Sequence, residues 1–154
     1  MNLYKITLLA HIVSAVIWVG GMFFAYTSLR PAAASVLEPP LRLSLWVQVF
    51  RRFFPVVWGA VLLLPLTGYW LTFSRFGEIS AAPLYVHLMN GLGSVMILIF
   101  LHVFFAPYRR LCQAVDARDW PTGGKKLSQI RYLVGLNTML GGLVIILAST
   151  GRYW

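Results

Sequence analysis

Four apolar runs, at about residues 3–29, 53–73, 83–106 and 130–150, constrain this chain more than any motif does. At 1.5 Å rise per residue, about 20 apolar residues carry an α-helix across the hydrocarbon core of a bilayer. Each run meets that length. Lipid offers no hydrogen-bond partner to backbone amides, so a spanning segment must satisfy them internally, as a helix does. The expected fold is therefore an all-α membrane protein, a four-transmembrane-helix bundle forming a single transmembrane domain over residues 1–154. Composition agrees: 59% of residues are hydrophobic and 11% charged, against about 25% charged in a soluble domain. The first run is too long for the apolar part of a signal peptide, so it reads as a retained helix, even though Ala32-Ala33-Ala34-Ser35 has the small side chains of a cleavage region.

The connections are read from their breakers and charges. Arg30-Pro31 is expected to end the first helix, and Glu38-Pro39-Pro40 to punctuate the loop after it. Residues 41–52, with Arg42, Arg51 and Arg52 among apolar neighbours, read as an interfacial helix. Pro65 predicts a kink near Val61. Pro107 closes the third span, a short amphipathic helix follows over 109–119, and Pro121-Thr122-Gly123-Gly124 reads as a break.

The first long connection holds four arginines and the third holds six cations, whereas Lys5, Arg75 and Arg152 lie on the opposite side. The positive-inside rule then puts both long connections in the cytoplasm and both termini outside. The formal net charge of +9 is loop charge of this kind, and nucleic-acid binding is not expected from it. Cys112, the single cysteine, excludes a disulfide within one chain. No Ser-His-Asp grouping, carboxylate pair or phosphate loop marks a hydrolase or transferase, and catalytic residues are not assigned.

The stretch HIVSAVIWVGGMF, His11 to Phe23, places an ionisable side chain inside the first span. Such a group is costly in lipid and is a functional-site candidate by default. With the orientation above, His11 lies roughly 9–12 Å below the outer end of its helix, and His87 roughly 6–8 Å below the outer end of the third. His102 is ~22 Å further along that helix and belongs to the other side. Helical spacing places His11, Ser14, Trp18, Gly21 and Ala25 on one stripe, and His87, Asn90, Gly91, Ser94 and Leu98 on another. Small and polar residues favour helix contacts over lipid, so both stripes are expected to face the interior.

Two imidazoles at one level are a natural axial pair for the iron of haem b. In that reading His11 and His87 are the metal ligands. Ser14, Trp18, Gly21, Asn90, Gly91 and Ser94 line the cofactor site, and Lys5, Arg75 and Arg152 pair with the propionates. A bis-histidine iron has no open position, which favours one-electron transfer with a quinol, superoxide or a periplasmic redox partner. Two alternatives stay open: a structural hydrogen bond for each histidine, and copper in place of haem. Association into a homo-oligomer is also open.

The pattern His11-x6-Trp18-x-Gly20-Gly21-Met22-Phe23, with YVHLMNGLGSVMILIFLHVFFAPYRR and IRYLVGLNTMLGG in the third and fourth spans, resembles the CopD family. Its members are multi-pass proteins of the bacterial inner membrane named for copper resistance, so the resemblance implies that location and a role in copper binding or transport. Copper(I) favours thioether and thiolate ligands, yet Met22, Met89, Met96 and Met139 read as dispersed along the chain. The first-helix pattern also resembles HemJ-type protoporphyrinogen oxidases, which bind haem b. The chain departs from them in having His87 where they have a lysine, and Leu29-Arg30-Pro31 in place of Pro-Arg-Leu.

Overall fold

The computed structural model describes residues 2–153, except for the side chain of Arg152. Four helices are long and apolar enough to cross a membrane: α1 (Leu3–Val36), α2 (Pro39–Phe76), α3 (Leu84–Asp116) and α4 (Trp120–Thr150). A 3-10 turn, Gly151–Tyr153, follows α4. Their outer faces carry exposed apolar side chains such as Val16, Leu66, Leu98 and Ile146, the surface a bilayer solvates and water does not.

Every helix runs further than its apolar run. α1 continues through Pro31 because Ala25–Leu29 is a π-turn, in which the Arg30 amide donates to the Ala25 carbonyl five residues back. That wider turn precedes proline, which has no amide proton and whose ring crowds the preceding carbonyls. A second π-turn, Phe104–Tyr108, contains Pro107 and joins the third span to the expected amphipathic segment. The expected interfacial helix is likewise the beginning of α2, whose 38 residues extend about 57 Å. Pro55 and Pro65 both lie inside it. α2 stops at Gly77, whose φ of 78° is a left-handed conformation that glycine adopts without steric cost.

Pro121 occupies the first turn of α4, where its missing donor is not needed, so the expected break is a helix start. Asp119 caps it: its Oδ1 accepts from the Thr122 amide at 3.1 Å. Hydrogen bonds from Thr122 hold this exposed carboxyl below the ordinary carboxylate value of 3.8. A depressed pKa contributes stability above the unfolded value, lost as pH falls through the folded one. Helix α4 is therefore expected to fray below about pH 3.8. Asp119→Asn should keep the cap and abolish the pH dependence, as read by amide hydrogen exchange at residues 120–124.

α1 packs chiefly on α2, and α3 on α4, with α4 also touching α1 and α2, α2 touching α3, and little contact between α1 and α3. α1 and α3 are therefore diagonal. The dense part of the core lies toward the two long connections. There Phe50 stacks on Phe54 at 5.0 Å, Phe54 meets Tyr108 at 4.8 Å, and Trp58 meets Phe100 at 5.3 Å. Leu111, Leu127 and Ile130 are fully buried beside them. Toward the termini the buried residues thin out, and small residues such as Gly68, Gly93 and Gly141 line the inner faces. The bundle is open at that end.

Candidate functional site

The opening at the terminal end is a cavity of about 400 Å³ walled by all four helices. His11 projects into it from α1, and its Nδ1 lies 2.8 Å from Thr67 Oγ1 of α2. The tautomer follows from the single hydroxyl proton. Thr67 donates to the carbonyl of Leu63, one turn back, with the Leu64 carbonyl at 3.2 Å. Its oxygen is then left to accept, so His11 Nδ1 carries the proton and Nε2 keeps a bare lone pair. The neighbouring residue permits this close approach: a Cβ on Gly68 would lie 3.1 Å from His11 Cε1.

The α1 stripe points inward as expected, with Ser14, Trp18 and Met22 buried. Trp18 lines the cavity; Ser14 does not. Gly21 lies deeper, under the ring of Phe53.

The α3 stripe is split: His87, Gly91 and Leu98 are exposed away from the cavity, whereas Asn90 and Ser94 line it, and the buried face of α3 is Met96, Phe100 and Val103. The Ser94 hydroxyl donates to the Asn90 carbonyl at 2.8 Å. His87 is not part of the wall. The structure thus does not bring His11 and His87 together. They stand on diagonal helices, His11 turned toward α2 and His87 toward the bundle surface, so the expected axial pair is not assembled within one chain.

The three expected propionate partners separate as well. Arg75 lines the cavity and lies over the Phe76 ring at 5.7 Å. Lys5 is exposed away from the cavity wall, and the Arg152 side chain lies outside the described residues. His102 is exposed on α3.

Among the described residues no three His, Cys, Asp or Glu side chains converge as a metal site. Thioethers are the other soft donors, and two of them are here. Met89 and Met96 line the same cavity as His11, and Met96 is buried. Their spacing of seven residues, two helical turns, was the sequence signal for a shared face. Of the other methionines among the described residues, Met22 faces Asn137 and Met139 is exposed on α4.

Residues 47–150, two thirds of the chain, match the family model described as CopD, copper resistance protein D. The matched segment contains Thr67, Met89 and Met96, whereas His11 precedes it. No curated protein and no solved structure matches the chain.

Proposed function

The chain belongs to the copper resistance protein D family, and from that premise we propose that this multi-pass membrane protein takes copper(I) as its cargo in the terminal-end cavity. One observation carries the proposal: His11, whose Nδ1 is paired with Thr67, and two methionines line a single cavity. Imidazole and thioether are the donors that suit copper(I). The charge distribution supports an orientation with this end outside, at the outer face of a bacterial inner membrane. Copper(I) would then enter past Arg75 and be held by His11, Met89 and Met96. A cationic group at the mouth favours a metal that arrives bound to an anionic carrier over a free cation.

Haem b with one-electron transfer has less support, because its second ligand, His87, faces away from the cavity. The family match is to copper resistance protein D, and the likeness to HemJ-type proteins adds no support for haem.

The test is a copper(I) titration of the purified chain in nanodiscs under reducing conditions, with X-ray absorption at the copper edge. One copper(I) per chain with mixed nitrogen and sulfur ligation is expected. A Soret band after expression with ample haem, or the absence of copper(I) binding, would overturn the reading.

A further inference from the structure

A second cavity, of about 180 Å³, lies beyond Trp18 toward the long connections. Its wall is built from the rings of Trp18, Phe50, Phe53, Phe54 and Phe100 with aliphatic side chains between them. Among its lining side chains Asn137 carries the only oxygen. Asn137 is 3% exposed. Its Nδ2 donates to the Met96 carbonyl at 3.4 Å and points to Met22 Sδ at 3.7 Å. Flipping the amide would set two acceptors against each other, so this orientation is fixed. Oδ1 is then a buried acceptor with no partner among the described residues, a rare condition in native proteins. Water is a poor answer, since a buried water needs two to four polar partners and, apart from Asn137, the lining side chains carry only the Met22 thioether and the Trp18 indole nitrogen as heteroatoms.

The missing group is a donor attached to something flat and apolar. A dry cavity of about 150 Å³ lined by Leu, Ile and Phe accepts benzene, so this volume holds one six-membered ring with a substituent. Phe24, on the rim, is 59% exposed on the lipid side of α1, which gives a ligand access from the bilayer. We propose that this cavity binds the ring of a lipid-soluble phenol or hydroquinone, its hydroxyl donating to Asn137 Oδ1. The proposal is independent of copper in the other cavity.

The test is calorimetric titration of the full chain in nanodiscs, with empty discs subtracted, using 4-methylphenol, toluene and 4-methylanisole. One 4-methylphenol per chain should bind roughly tenfold tighter than either of the others, the worth of one hydrogen bond. Asn137→Leu should erase that preference while toluene still binds. The wild-type comparison stands even if the variant fails to fold. Equal affinity for 4-methylphenol and 4-methylanisole, or no binding above empty discs, would overturn the proposal. Displacement of 4-methylphenol by a short-chain prenylated hydroquinone would assign the site to a quinol headgroup, and failure of displacement to phenols without a tail.

Discussion

Phe100→Ala is expected to destabilise the bundle by about 3 kcal/mol, the low end of the range for a buried phenylalanine. Phe100 is the ring through which three helices meet. It contacts Trp58 at 5.3 Å and Phe54 at 5.6 Å on α2, Trp18 at 6.3 Å on α1, and Phe104 at 6.1 Å on its own helix. Truncation removes all four ring contacts and opens a void continuous with the 180 Å³ cavity that Phe100 already lines. The low end applies because lipid is as apolar as the core: the ring gains little by leaving lipid, and what is lost is close packing. Phe105 is half-exposed and at the margin of the cluster, meeting Phe104 at 5.1 Å and Trp58 at 6.2 Å with Arg109 over its ring, and Phe105→Ala should cost only about 1 kcal/mol. Equilibrium unfolding in mixed micelles, followed by far-ultraviolet circular dichroism, measures both. Equal losses for the two variants would mean that the aromatic cluster is not what holds α1, α2 and α3 together.

The contrast between those neighbours also marks what could be read in the sequence. The four spans were legible because lipid imposes a length and an apolarity that few other constraints imitate. Their ends were not. Pro31 and Pro107 have the chemistry of helix stops, but a π-turn just before the first and around the second lets the helix continue, and nothing in the local composition distinguishes the two outcomes. The inner face of α1 was legible from Ser14 and Trp18. That of α3 was read only in part: the rule that small and polar residues turn inward found Asn90 and Ser94, which line the cavity, but also took His87 and Gly91, which do not, and passed over Met89, Gly93 and Met96. His87 and Met89 are separated by roughly 200° around a helix, so α3 cannot aim both at one site. Matched depth could not settle the choice. Depth is a coordinate along the helix, whereas pairing depends on azimuth and on which helices are neighbours, and α1 and α3 are diagonal.

Azimuth is also what makes Thr67 matter. The copper(I) affinity of His11→Ala should fall by at least roughly a hundredfold, the loss of a ligand exceeding that of an outer-shell partner. Thr67→Val, which keeps the shape and removes the hydroxyl, should lower affinity by about 10–100-fold through His11 alone. With no oxygen at position 67, the Nδ1 proton loses its acceptor 2.8 Å away. The imidazole then keeps the Leu64 backbone as its partner among the described residues, and its orientation and tautomer are less firmly held. Thr67→Ser restores the acceptor and should recover affinity to within about threefold, which separates positioning from packing because serine packs worse than valine. Competition against a colourless copper(I) chelator in the same nanodiscs reads all three. If Thr67→Val binds as wild type while His11→Ala does not, Thr67 is a packing residue and the tautomer assignment is wrong. If His11→Ala also binds as wild type, copper(I) does not use this cavity, and the thioethers of Met89 and Met96 are only its lining.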